Sequence, residues 1–138
     1  MIMAASNRYI LMVEDDPDDR YITNQTLKEL GFNVPIIYLT QSDKVFSYLA
    51  EHEAPAIILI DYNSSPDNGV EILKTLKSHP GYQHIPVIIL SESAAPAYVT
   101  ECYRHGANTF IVKPFTTAAT RKKIESFFTY WLEVAEVG

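Results

Sequence analysis

Tyr9-Ile10-Leu11-Met12-Val13-Glu14-Asp15-Asp16-Pro17 passes from an unbroken apolar run to three acids and a proline. A short, continuous apolar run suits a strand buried on both faces. The acids cannot follow it into that interior, so they mark its carboxyl end. Asp16 is then a helix cap and Pro17 a first helical residue, a position where a missing N–H costs nothing. The stretch reads as strand, acidic loop and helix.

Four more apolar runs follow, at residues 34–39, 56–60, 87–90 and 109–112. Between the runs, apolar residues fall at helical spacing: Tyr21, Ile22, Leu27 and Leu30; Val45, Phe46 and Leu49; Ile72, Leu73 and Leu76; Val99, Cys102 and Tyr103; Ile124, Phe127, Phe128 and Trp131. Gly31, Pro80 with Gly81, Pro96, Gly106 and Pro114 punctuate the boundaries. Regular alternation of strand and helix predicts right-handed crossovers and a parallel five-stranded α/β sheet with helices on both faces. Such sheets bind ligands at the carboxyl ends of their strands.

The residues at those ends are chemically related. Run one ends in Glu14, Asp15 and Asp16, run three in Asp61, run four in Ser91 and run five in Lys113; Thr40 and Gln41 end run two. With strand order 2-1-3-4-5, the acids of strands one and three lie side by side, flanked by Ser91 and Lys113. Crowded carboxylates repel one another, and a hard divalent cation held by oxygen relieves this. Mg²⁺ fits an open site of one or two carboxylates and several waters, and no His or Cys cluster suggests zinc. Lys113 adds a point charge and Ser91 a donor, so the site can surround a phosphoryl group carried on a carboxylate nucleophile. Asp61, alone at a central strand end, is the expected nucleophile. Glu14 and Asp15 are expected metal ligands, whereas Asp16, Asp18 and Asp19 read as acids favoured at a helix N-terminus.

Composition narrows the alternatives. A chain of 138 residues suits one domain, which can bury about two-thirds of its unfolded surface. The net charge of −6 lacks the dense basic surface that duplex nucleic acid requires. Cys102, the single cysteine, cannot form an internal disulfide and is assigned to packing. Neither a leader pattern nor a run long enough to span a bilayer is visible. The expectation is a soluble cytoplasmic domain over residues 1–138, with tails at about 1–7 and 133–138.

Taken together, Val13-Glu14-Asp15-Asp16-Pro17, Asp61 to Gly69, Ser91 and Lys113-Pro114-Phe115 resemble the response-regulator receiver domain of two-component signalling. The resemblance implies a flavodoxin-like fold and a phosphoryl group accepted on Asp61 from a sensor histidine kinase or phosphotransfer protein. Glu14 and Asp15 would be the acidic pair, with Asn63 offering its backbone carbonyl to Mg²⁺. Ser91 would be the switch hydroxyl, Lys113 the site lysine and Phe110 the rotating aromatic. Asn63 and Ser93 stand where the family tunes phosphoryl lifetime, and Lys113-Pro114 where it often has a cis peptide. The ending around Tyr130-Trp131-Leu132 looks like the stand-alone type that includes cyanobacterial phytochrome response regulators. One departure is Ser65 where the family commonly has proline, with Pro66 one later. Output would fall to a downstream protein or to a homodimer, through the fourth helix, fifth strand and fifth helix.

Blander readings weigh against some of these roles. Ser91 also suits a helix cap or loop, Phe110 suits the core as well as a switch, and Arg121, Lys122 and Lys123 suit a solvated face. The scattered histidines have no ligand spacing. Phe127, Phe128, Tyr130 and Trp131 exceed one core stripe, which fits a dimer, a docked partner or capping of the sheet edge. A receiver that only binds partners, a Mg²⁺-dependent aspartyl phosphohydrolase and an FMN carrier are the rival functions. The intact acceptor set, Asn63 in place of a second Asp, and the acidic first loop oppose them in turn.

Overall fold

The computed structural model describes residues 9–113 and 116–137. Strand β1 (Ile10–Val13) leads into α1 (Pro17–Glu29) and β2 (Ile36–Leu39). A 3-10 turn (Ser42–Lys44) opens α2 (Val45–Glu51), followed by β3 (Ile57–Asp61), α3 (Gly69–Ser78) and β4 (Val87–Ser91). Then come α4 (Pro96–Arg104), β5 (Thr109–Val112) and α5 (Thr117–Thr129), which runs on into a π-helical turn (Tyr130–Val134). All strand pairings are parallel and the order is β2-β1-β3-β4-β5, as the alternation predicts.

Period-two alternation divides the apolar runs between two faces. Leu11, Val13, Ile58, Ile60, Val87 and Ile89 pack with Val45 and Leu49 of α2, Leu73 and Leu76 of α3, and Cys102 of α4. Ile10, Met12, Ile57, Leu59 and Ile88 pack against Leu27 of α1 and Phe128 of α5. Each fully buried Ile or Leu contributes about 1.5–3 kcal/mol relative to exposure. Because β1 and β3 are covered on both sides, their first polar residues are pushed to the strand ends.

The helix ends follow local chemistry. The Asp16 side chain accepts from the Asp18 N–H at 2.9 Å, with Pro17 behind it, and Asn68 and Thr116 cap α3 and α5 likewise. Gly31, at φ 79°, closes α1 where an L side chain would be strained.

Tyr21 lies in α1, as its spacing predicts, but is 67% exposed, while Thr23, Thr26 and Leu27 are the buried residues of that helix. Tyr103 is half exposed, and its hydroxyl accepts the Phe110 N–H of the edge strand at 3.0 Å. Arg121, Lys122 and Lys123 form a solvated stretch of α5 as expected, with Arg121 paired to Glu29 of α1 at the surface and Lys123 donating to the Val112 carbonyl. The aromatic surplus packs largely inward, with Phe128 buried and Phe127 and Trp131 against the same face, while Tyr130 stays exposed.

Candidate functional site

The register puts the reactive residues together. Val13 pairs with Ile60, so Glu14 and Asp61 emerge side by side from adjacent strands. Ser91 pairs with Val112, and the Lys113 N–H donates to the Ser91 carbonyl at 2.7 Å. Carboxylate oxygens of Glu14, Asp15 and Asp61 lie within 4.8 Å of one another. This all-oxygen donor set fits a hard divalent cation.

Lys113 is the cationic centre of the site. Its Nζ donates to Asp61 Oδ2 at 2.8 Å and to Glu14 Oε1 and Asp19 Oδ2 at 2.9 Å each. Burial alone would lower its pKa, but hydrogen bonds to Asp61, Asp19 and Glu14 outweigh it and hold the ammonium well above its ordinary value. Glu14 is 1% exposed, and burial pushes its carboxyl up to about 7 against the opposing pull of Lys113. Asp15 is exposed and Asp61 half-buried, so the cluster grades from interior to solvent.

The loop after β3 holds Asp61 in place. The Asn63 N–H donates to Asp61 Oδ1 at 2.9 Å, and the Ser64 hydroxyl donates to its carbonyl at 2.6 Å. Around Ser65, the departure noted in the sequence, the Ser65 carbonyl accepts from the Ser42 N–H and the Asp67 N–H donates to the buried Ser42 hydroxyl. The Ser65-Pro66 peptide is cis.

Glu14, Asp15, Asp61 and Lys113 converge as expected. Ser91 is buried at the adjoining strand end, but its hydroxyl donates to the Ser93 carbonyl and accepts the Ser93 N–H, both at 3.1 Å, and so serves its own loop. Phe110 is partly buried against the α2–α4 face. The Lys113-Pro114 peptide lies outside the described residues.

Two residues escaped the sequence reading. Asp19 is not merely a helix-end acid, since it holds Lys113. Side chains tilt toward a helix's N-terminus, so an acid in a first turn that opens at the strand ends was the available signal. Tyr62, directly after Asp61, stacks on Tyr98 of α4 at 4.9 Å and donates to Glu101 at 3.3 Å. Nothing local in the sequence signals that contact, which depends on how α4 is seated.

The sequence model described as response regulator receiver domain matches residues 10–125. A chemotaxis protein CheY homologue of Campylobacter jejuni is 28% identical over 116 residues, covering 84% of this chain and 88% of that protein. The Mn²⁺-bound form of response regulator Rcp1 superposes with a TM-score of 0.89 at 25% identity, covering 95% of this chain and 99% of that one. The phosphorylated cyanobacterial phytochrome response regulator RcpA shares the fold, with a TM-score of 0.88 at 24% identity, covering 94% and 97%. Among the described residues no helix is long and apolar enough to cross a membrane.

Proposed function

This chain belongs to the response regulator receiver domain family, and we propose that it accepts a phosphoryl group on Asp61 from the phosphohistidine of a sensor kinase or phosphotransfer protein. The observation that carries the reading is the placement of Asp61 within one cation-holding cluster with Glu14 and Asp15 and 2.8 Å from the Lys113 ammonium. A carboxylate oxygen of Asp61 forms the new bond to phosphorus as the phosphorus–nitrogen bond of the donor breaks, and the imidazole departs with the electron pair. Lys113 stays charged and holds the developing negative charge; Asn63 fixes the carboxylate's other oxygen through its N–H.

Glu14, Asp15, Asp61 and the Asn63 carbonyl would hold Mg²⁺, which when bound neutralises charge on the transferred group. The Ser91 hydroxyl would leave Ser93 for the new dianion and release Phe110 to turn inward. Ser93 and Asn63, flanking the acceptor, would set how fast water removes the group. The changed face around α4, β5 and α5 would then bind a downstream protein or a second copy. The chain acts on itself rather than turning over a substrate, and the reading places it in the cytoplasm.

Incubation with phosphoramidate and Mg²⁺, followed by intact mass measurement, tests this. The native chain gains one phosphoryl group, and both EDTA and Asp61→Asn abolish the gain. A chain that gains nothing, even with a histidine kinase as donor, is a receiver that binds partners without phosphorylation.

A further inference from the structure

An ammonium has three N–H donors, and Lys113 gives one each to Glu14, Asp19 and Asp61. These acceptors are not equivalent. Among the described residues the oxygen cluster suited to a cation comprises Glu14, Asp15 and Asp61, and Asp19 stands outside it. Glu14 and Asp61 therefore face two demands, from the lysine and from a cation, and Asp61 faces a third as nucleophile. Asp19 faces one.

Asp19 is also well fixed. It lies in the first turn of α1, and its carbonyl accepts the hydroxyl of buried Thr23 at 2.8 Å. Leu27 of that helix is buried in the same core cluster as Phe128 of α5, which seats α1 against its neighbour.

We propose that Asp19 is a positioning residue for Lys113, anchoring the ammonium on the α1 side so that it stays aimed at Asp61 while the other acids are engaged. This rests on the reading of Asp61 as acceptor. Without Asp19, the flexible four-carbon stem lets the ammonium settle on deeply buried Glu14, away from the incoming phosphoryl oxygens.

The test compares the native chain with Asp19→Ala, Asp19→Asn and Asp18→Ala, using phosphoramidate at saturating Mg²⁺. Asp19→Ala lowers the maximal rate about tenfold, the scale of a modest misplacement of a catalytic group. The donor KM and the calorimetric Mg²⁺ Kd stay within about twofold, because ground-state binding is retained. Asp19→Asn, whose amide oxygen still accepts, recovers much of the rate. Asp18→Ala shares the same helix end and behaves as native. ¹⁵N-lysine NMR gives a readout independent of activity: the Lys113 ammonium protons are protected from exchange in the native chain and in Asp19→Asn, and lose protection in Asp19→Ala. A native maximal rate in Asp19→Ala, an equal loss in Asp18→Ala or unchanged protection would each overturn the proposal. If the native chain takes no phosphoryl group, the acceptor reading fails by itself, and the NMR comparison still decides whether Asp19 anchors Lys113.

Discussion

Lys113 Nζ lies 2.8 Å from Asp61 Oδ2, although 52 residues separate them in the chain. Strand β4 stands between their strands, so the contact is made by a long side chain reaching across a neighbour. The lysine is thereby the counter-charge for acids drawn from β1, α1 and β3.

Removing that charge exposes the acids to one another. Lys113→Met is expected to lower stability at neutral pH by about 2–4 kcal/mol, since breaking a largely buried ion pair leaves its partners uncompensated. Mg²⁺ should restore more stability to the variant than to the native chain, because a competing cation has gone and ligand binding stabilises by mass action. Urea melts with Mg²⁺ and with EDTA check both statements. Equal stability of the two chains in EDTA would show that Lys113 is not the counter-charge.

Gly69 opens α3 against the end of β3. A Cβ there would stand 3.0 Å from both the Asp61 carbonyl oxygen and Tyr62 Cα, and neither backbone atom can rotate aside. Gly69→Ala is expected to cost about 1–3 kcal/mol, the usual range for overpacking, and to slow phosphorylation by moving the Asp61 loop. A thermal melt and the mass assay on one sample measure both effects. A variant as stable and as fast as native would mean that the loop gives way freely.

Cys102 sets a limit on alkaline stability. Burial pushes its thiol from the ordinary 9.0 up to about 11, so the folded chain keeps a proton that the unfolded chain releases. Its contribution is complete below pH 9 and is lost as pH rises toward 11. Cys102→Val should flatten the fall in stability across that window, by about 2 kcal/mol at its upper end. Denaturant melts at about pH 8 and about pH 10.5, on either side of the ordinary thiol range, decide it: parallel losses in both chains would assign the slope elsewhere.

The strands were legible because each is a run of apolar residues too short for a buried helix and bounded by turn chemistry. Asp61 stood out because an isolated acid after Ile57-Ile58-Leu59-Ile60 has no role in the sheet interior. Ser91 was placed correctly at its strand end, but its hydrogen bonds to Ser93 were not foreseen, since a hydroxyl's direction depends on the loop that follows. The basic run of α5 was legible as solvent-facing, but its surface partners, Glu29 of α1 for Arg121 and the Val112 carbonyl for Lys123, depend on how α5 is seated.

What the sequence determined by itself was the parallel α/β architecture, the strand ends as the place of chemistry, and the acids and lysine gathered there. Hydrophobic period, capping residues and turn residues are local, and they act before any distant contact forms. Tertiary structure alone decided which acids share Lys113, why Asp19 is among them, and how Tyr62 meets α4. Those contacts depend on helix orientation and side-chain reach across the sheet, set by packing between residues far apart in the chain.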